Sequence, residues 1–273
     1  MNGLERITRL LLEGGSISAQ DAETARAYFS REREMRAMAE KFVKEKKMPC
    51  QSAAEKLAVT LSAADIARVR YAELGIPQDI YFDTMSDIGV WAGQCRAQGG
   101  EGLENTPWLA HHVRLELFKL GRLQFQPIKR PVILNMGLAC ALRLRKLPEM
   151  CLNVHIPRGG RLDRSACEAA LYGAPMFFKK YFAAEYTAFF CLSWLLYPGN
   201  EKFMDKKSNI LAFAKLFDLA GSCKSNGDTL YYLFGSRHID PEKTQAHTSL
   251  QRAALEYYKK GGRFGLGCGI KNL

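Results

Sequence analysis

Residues suited to phosphate binding lie together where a predicted strand meets a predicted helix, in the segment 155–162. Adjacent glycines let a backbone approach a ligand closely, and amide groups at the start of a helix attract phosphate. The neighbouring arginines add positive charge. A pyrophosphate site is the functional interpretation, and a tight turn without a ligand is the alternative. The residues of this candidate site are Arg158, Gly159, Gly160, Arg161 and Leu162.

Three other side chains near this junction could take part in proton or group transfer. His155 ends the strand before the glycines, and an imidazole can accept a proton near neutral pH. Cys191 and Ser193 share one face of a later predicted strand, and a thiol or a hydroxyl can serve acyl chemistry. The alternative is a structural role for all three, with His155 hydrogen-bonded and the other two packed in the core.

Metal chemistry has weaker support. His112 and Glu116 are four residues apart, which would place both on one helix face, but no HExxH motif occurs. The eight cysteines are scattered and none forms a CxxC pair, so we expect reduced thiols and no zinc cluster.

The charge of the chain is unevenly distributed. Residues 1–107 hold 14 Lys+Arg and 16 Asp+Glu, a net of −2, whereas residues 108–273 hold 25 and 12, a net of +13. This excess favours a polyanionic partner such as a nucleotide cofactor, nucleic acid or acidic lipid, although a solvated basic face would look the same. The glycine-rich polar stretch 98–106 predicts a boundary between domains 1–107 and 108–273.

The front domain has helical patterns throughout. Ser18 and Asp21 have the spacing of a capping box, and apolar residues recur at helical spacing over residues 35–43. These signals predict one long amphipathic helix that ends before Pro49. A second helix is predicted from a cap at Ser62 and Asp65 to Gly75, and a third over residues 78–96.

Residues 53–71 also resemble a helix-turn-helix, whose second helix would present Arg68 and Arg70 to DNA. The turn has no glycine and this half is slightly acidic, whereas phosphate contacts normally dominate DNA affinity. Ordinary helix packing is therefore the preferred interpretation, and no nucleic-acid partner is expected.

The rear domain alternates between strand and helix patterns. Strands are predicted at residues 122–128, 138–147, 151–156, 187–196, 230–234 and 263–270. Helices are predicted at residues 108–120, 163–181, 208–219 and 248–260. Such alternation predicts an α+β fold with layered α/β packing, in which a helical amino-terminal domain precedes a mixed central sheet with flanking helices. No strand leads into GxGxxG, which argues against a dinucleotide fold.

Several short stretches are similar to the recurrent motifs of one family. They are residues 120–126 (LGRLQFQ), 154–160 (VHIPRGG), 191–198 (CLSWLLYP), 208–210 (SNI), 249–252 (SLQR) and 261–263 (GGR). In this order they resemble a bacterial family of acyltransferase-like proteins. Its members have a helical N-acyltransferase amino-terminal domain and a GNAT-like carboxy-terminal domain, and the resemblance covers nearly the whole chain.

The resemblance implies a reaction and a place for it. The co-substrate would be acyl-CoA or acetyl-CoA, and the acceptor an amine of a small molecule or a peptide. The acyl thioester would lie in a gap between strands 152–156 and 189–196, with the loop 158–161 on the phosphates. A non-catalytic GNAT-like module that binds a nucleotide-like ligand is the alternative.

The chemistry of amide formation suggests roles for individual residues. His155 would be the general base, and Ser193 would polarise the thioester or protonate the leaving thiolate through water. Asn209 corresponds to an asparagine that serves the cofactor in the GNAT helix, but Phe217 lacks the hydroxyl of the tyrosine that follows in GNAT proteins. Packing of this helix in the core is the alternative interpretation.

The longest apolar run, residues 187–197, is shorter than the roughly 20 residues that a membrane-spanning helix needs. No secretory signal pattern occurs at the amino terminus. We therefore expect a cytoplasmic protein with no membrane partner.

Overall fold

A computed structural model describes residues 2–273, and the chain forms two compact units. Unit 1 runs to Gln126 and also includes Ile156–Arg158 and Lys180–Ala183. Unit 2 comprises Pro127–His155, Gly159–Lys179 and Ala184–Leu273. No helix of the described residues is both long and apolar enough to cross a membrane.

Unit 1 is helical and centres on one long helix. Its helices are α1 (Gly3–Glu13), α2 (Ala19–Arg26), α3 (Glu32–Glu45), α4 (Ala53–Glu73), α5 (Gln78–Ala97) and α6 (Thr106–Val113), followed by strands β1 (Phe118–Leu120) and β2 (Leu123–Lys129). Helix α4 packs against α1, α2, α3, α5 and α6. All nine residues from Leu57 to Asp65 are buried, as expected of a helix with neighbours on every side.

The predicted cap of the amino-terminal helix is confirmed, but the prediction of one continuous helix from Ser18 to Pro49 was wrong. The Ser18 hydroxyl accepts the Asp21 N–H, and Asp21 reciprocates, so the predicted capping box is confirmed. However, α2 ends at Arg26 and a 3₁₀ turn, Phe29–Arg31, precedes α3. Both helices pack against α1 and α4, and the 3₁₀ turn separates them. A periodic pattern alone does not reveal such a break.

The predicted start of the second helix was wrong. Helix α4 begins after Ser52, whose side chain accepts the Glu55 N–H, and it continues without a turn. Ser62 and Asp65 lie buried in its middle, because the same Ser-x-x-Asp spacing that caps a helix also occurs within one. The helix-turn-helix interpretation is therefore wrong. The third predicted helix is confirmed as α5.

Unit 2 is a mixed sheet with flanking helices, as predicted. After β2 come α7 (Leu138–Leu144), β3 (Met150–His155), α8 (Arg164–Phe182), β4 (Ala188–Ser193), α9 (Asn209–Ala214), β5 (Asp218–Lys224), α10 (Asn226–Phe234), α11 (Ser249–Lys259) and β6 (Gly265–Asn272). Within this unit the strands follow the order β3-β4-β6-β5. The β3–β4 pair is parallel, while β1–β2, β4–β6 and β5–β6 are antiparallel.

Two predicted strands are helices. Residues 138–147 contain α7, whose Cys140 and Leu144 join Leu147 in a buried cluster against the sheet. These positions follow helical spacing. The strand prediction placed Leu138 and Leu142 on the same buried face as Cys140, but both leucines are exposed. Residues 230–234 belong to α10 because Leu230 packs with Ala254 and Phe264.

Two predicted helices were too long. A helix was predicted over residues 108–120, but α6 ends at Val113 and β1 follows. The pattern over residues 208–219 ends as α9 at Ala214, and β5 begins at Asp218. Short apolar runs fit either kind of element, so the pairing of β1 with β2 and of β5 with β6 decides these segments.

Alternate glycines of β6 allow the segment after β4 to lie directly on the sheet. A Cβ on Gly267 would come 2.2 Å from the Leu196 carbonyl oxygen, and one on Gly269 would come 2.7 Å from a Leu196 methyl carbon. Both glycines pair with the last residues of β4. The absence of side chains on this face of β6 therefore sets the path of the 3₁₀ turn Trp194–Leu196.

Candidate functional site

Strands β3 and β4 pair over only a short length. Their register contains the pairs Leu152 with Phe189 and Asn153 with Phe190. Beyond these pairs β3 continues to His155 and β4 continues to Ser193. On its other side β4 stays paired with β6 as far as Ser193 and Gly267. The pairing of the two parallel strands thus ends before their carboxyl ends, and the gap for the thioester that the GNAT resemblance implies stays a prediction.

The half-buried His155 is held by a neighbour that the sequence analysis did not single out. The Asn153 side-chain amide donates to His155 Nε2 across 3.0 Å. The two residues are two positions apart on one strand, so their side chains lie on the same face. The amide therefore sets the orientation of the imidazole at the end of β3. A histidine with a polar residue two positions earlier on a strand is the signal that could have revealed this pair.

Ser193 is the last residue of β4 and also begins the next turn. Its Oγ accepts the Leu195 N–H at 3.2 Å, which caps the 3₁₀ turn Trp194–Leu196. Because Oγ acts as an acceptor in this contact, its own proton remains available for donation.

Cys191 is fully buried on the Ser193 side of β4. Burial, followed by the proximity of Cys268, raises the pKa of the Cys191 thiol far above its ordinary value. A thiol in this state does not supply the thiolate that nucleophilic attack needs. Cys191 thus packs in the core, the alternative that the sequence analysis left open.

The glycines after β3 adopt a conformation that other residues rarely take. Gly159 has a φ of +82° and Gly160 a φ of +67°, and no heavy atom lies within 4 Å of a Cβ built at either position. Arg158 and Arg161 flank them and are exposed, while Leu162 is buried before α8 begins. Two successive left-handed residues followed by a long helix form the kind of backbone that can bind an anion.

Asn209 is the first residue of α9, and it is half-buried. The Ser208 side chain caps this helix by accepting the Ile210 N–H. Phe217 is buried and its ring lies 5.4 Å from that of Phe213. The position that holds a tyrosine in GNAT proteins therefore contributes to the core here.

His112 and Glu116 do not share a helix face, because α6 ends at Val113. His112 is fully buried and its Nε2 lies 3.1 Å from Asp87 Oδ2, which also accepts the Trp108 Nε1–H at 2.8 Å. Burial alone would raise the pKa of Asp87, but the hydrogen bond and charge of His112 outweigh it and lower the pKa to about 2. His112 thus contacts Asp87 instead of Glu116, and among the described residues no group of three or more His, Cys, Asp or Glu could hold a metal ion.

Glu116 belongs to a separate, partly exposed cluster. It accepts hydrogen bonds from Lys46, Arg114 and His111 at 2.8–2.9 Å. Although desolvation opposes the shift, these three donors lower its pKa to about 2. The cluster links the segment after α6 to the residue that follows α3. The carboxylate oxygens of Glu116 accept hydrogen bonds from three side chains in this cluster.

Models of two protein domains match the chain in succession. The N-acyltransferase N-terminal domain matches residues 5–115, and the GNAT-like C-terminal domain matches residues 117–271, which is more than half of the chain. The chain belongs to this N-acyltransferase family. The resemblance inferred from the short motifs is confirmed. The boundary that we predicted at residue 107 stays a prediction.

Solved structures of an acyltransferase share the fold of this family member. One in complex with decanoyl-CoA and teicoplanin is 24% identical with a TM-score of 0.76, and a variant in complex with octanoyl-CoA is 22% identical with a TM-score of 0.77. A third, with CoA and 10C-teicoplanin, is 22% identical with a TM-score of 0.75. Each match covers 97% of this chain and 87% of the other. Among curated proteins no match was found.

Proposed function

We propose that the protein transfers an acyl group from acyl-CoA to an amine. The observation that carries this proposal is that the pairing of β3 with β4 ends at Asn153 and Phe190, within a chain that belongs to an N-acyltransferase family. Related folds that bind CoA, octanoyl-CoA and decanoyl-CoA support the choice of donor. An acyl thioester would occupy a gap between the two strand ends.

His155 would act as the general base. The amine nitrogen attacks the thioester carbonyl carbon, a C–N bond forms, and the C–S bond breaks with its electron pair on sulfur. His155 takes the proton that the amine loses. The hydrogen bond from Asn153 keeps the imidazole in one orientation before the transfer, and the amide must release Nε2, the ring nitrogen with the lone pair, as Nε2 takes the proton.

Ser193 would act on the leaving thiolate from the opposite face of the sheet: its hydroxyl donates a hydrogen bond to the sulfur, and the sulfur takes its proton from water. The register places Asn153 and Phe190 on one face, so His155 shares that face while Ser193 lies on the other. The Leu195 N–H occupies a lone pair of the Ser193 hydroxyl and leaves its proton to be donated. His155 later releases to water the proton that it took from the amine, which balances the proton that the sulfur gains.

The loop after β3 would bind the pyrophosphate of the coenzyme. Arg158 and Arg161 supply charge, and the left-handed Gly159 and Gly160 expose backbone amides without side chains in the way. Leu162 anchors the end of the loop in the core, and Asn209 would contact the coenzyme from the start of α9.

The acceptor would be an amine of a small molecule or a peptide. The complex of one related fold with teicoplanin supports a small-molecule acceptor. We place the reaction in the cytoplasm, because all eight cysteines are free thiols and seven of them are buried.

Calorimetric titration with acetyl-CoA, octanoyl-CoA and decanoyl-CoA tests the donor. Incubation with a panel of primary amines, followed by mass spectrometry of released CoA and acylated product, tests the transfer. Mass spectrometry is preferable to a thiol reagent because the protein has eight thiols of its own. Binding of no acyl-CoA would contradict the proposal, and binding without transfer to any amine would indicate a module that recognises the coenzyme without turnover.

A further inference from the structure

Unit 1 contains a cleft with a volume of about 530 Å³ between α1, α4 and the start of α5. This volume falls within the range of small-molecule sites, about 300–1,000 Å³. The apolar residues of its floor are at most 5% exposed and comprise Ile7, Tyr71, Ile76 and Tyr81. Three arginines also line it, and we call it the arginine cleft. The acyl-transfer proposal uses none of these residues.

The arginines of the cleft outnumber its acids. Arg6 and Arg9 come from α1 and Arg68 from α4, and their side chains are 54%, 62% and 33% exposed. Glu13 is the one acidic residue among those that line the cleft, so three positive charges face one negative charge. Glu13 lies 3.7 Å from Arg9, and water screens this pair because both side chains are more than 60% exposed.

A carboxylate behind the cleft fixes two of these arginines in place. Asp65, whose side chain is 8% exposed, lies 3.5 Å from Arg6 and 3.1 Å from Arg68. It also accepts a hydrogen bond from Arg36 at 3.3 Å. A guanidinium group has five N–H donors, so one carboxylate shared by three arginines leaves donors for a further acceptor. Asp65 thus orients these arginines and offsets one of their three positive charges.

The aromatic floor stays uncharged. The rings of Tyr71 and Tyr81 meet edge to face with centroids 5.3 Å apart, and the Tyr81 hydroxyl donates to the Ala64 carbonyl. Burial raises the pKa of both phenols well above the ordinary value. The cleft therefore combines an apolar, neutral floor with a cationic rim. Such a cleft suits a ligand with an apolar body and an anionic group.

We propose that the arginine cleft binds a small organic anion, with one carboxylate or phosphate group on an aromatic or aliphatic body. The anionic group contacts Arg6, Arg9 and Arg68, and the body lies on the tyrosine floor. This site goes beyond the acyl transfer and does not depend on it. Arg68, which the sequence suggested as a DNA contact, is assigned to this site instead.

Calorimetric titration of the full chain with phenylbutyrate, phenyl phosphate and phenylbutanol tests the ligand class. Phenylbutanol has the apolar body of phenylbutyrate without its charge. We expect at least one of the two anions to bind, and the alcohol to bind at least about tenfold more weakly, the effect of losing one charge-assisted contact. Equal affinity for the alcohol, or no binding of either anion at millimolar concentration, overturns the proposal.

Two substitutions locate the binding. Arg9→Gln and Arg68→Gln should each weaken the anion at least about fivefold. Arg70→Gln is the matched control, since Arg70 lies on α4 and carries the same charge but does not line the cleft. Arg9 is well exposed, so its variant remains informative if the loss of the Arg68–Asp65 contact impairs folding. If Arg70→Gln loses as much affinity as Arg9→Gln, the effect comes from the overall charge of the protein and the proposed site is rejected.

Discussion

His155 and Ser193 end neighbouring parallel strands but project from opposite faces of the sheet. The two side chains therefore do not act through a direct contact with each other. If each acts on its own side of the gap, their contributions should be independent.

We expect His155→Gln to lower kcat by about 10²–10⁴-fold, the usual contribution of a general base. Ser193→Ala should lower kcat by about tenfold or less, and the double variant should show the product of the two effects. Product formation followed by mass spectrometry measures the rates, and thermal melting controls for the lost cap. Full activity in His155→Gln would remove the histidine from the mechanism.

The hydrogen bond from Asn153 to His155 predicts a positioning role. Asn153→Ala should lower kcat about tenfold and should change the pH dependence of the rate, because the imidazole loses a partner that stabilises one of its protonation states. Asn135→Ala, at an exposed asparagine of unit 2, is the control. A lower rate with an unaltered pH profile would point to a structural effect instead.

The loop after β3 predicts a contact with the pyrophosphate. Arg161→Ala should weaken CoA binding about tenfold, a typical loss for a charge-assisted contact. The same variant should bind pantetheine as the wild type does, since pantetheine lacks the pyrophosphate. Lys260→Ala removes one exposed charge immediately after α11 and is the control. Equal losses for CoA and pantetheine would assign Arg161 to a different part of the site.

The Asp87–His112 pair predicts sensitivity to acid in unit 1. An aspartate in an unfolded chain titrates near about 3.9, whereas the pKa of Asp87 in the folded protein is about 2. A lowered folded pKa stabilises the protein above the unfolded value, and this stability is lost as the pH falls from about 4 to about 2. The difference corresponds to about 2–3 kcal/mol.

Urea unfolding between pH 6 and pH 2 measures this loss. Asp87→Asn should be less stable than the wild type at neutral pH and should lose less stability as the pH falls from about 4 to about 2. Glu116 also has a lowered pKa, so the informative quantity is the difference between the two proteins at each pH. Parallel curves for both proteins would show that the aspartate does not carry the effect.

Two Gly→Ala substitutions, one in β6 and one in α8, should change the stability in opposite directions. Gly267→Ala would bring a methyl group 2.2 Å from the Leu196 carbonyl oxygen and should destabilise the fold by about 1–3 kcal/mol. Gly173→Ala, in α8, meets no heavy atom within 4 Å and should stabilise by about 0.5–1 kcal/mol through helix propensity. Denaturant melts compare them, and a neutral Gly267→Ala would refute the close approach of the segment after β4.

The amino-acid sequence determined the elements whose signals are local. The capping box of Ser18 and Asp21, the helix α5 and the strand β3 before the paired glycines follow from spacing, propensity and turn chemistry within a few residues. The short motifs identified the family for the same reason, because each is a contiguous string of residue types. These features do not depend on what lies across the fold.

The tertiary structure alone decided what depends on distant partners. It made residues 138–144 a helix, because Cys140 and Leu144 pack on the sheet. It placed His155 and Ser193 on opposite faces, because the register of β3 against β4 sets which side chains share a side. Periodicity reports that a side chain is buried, but only the completed packing determines which residue it meets.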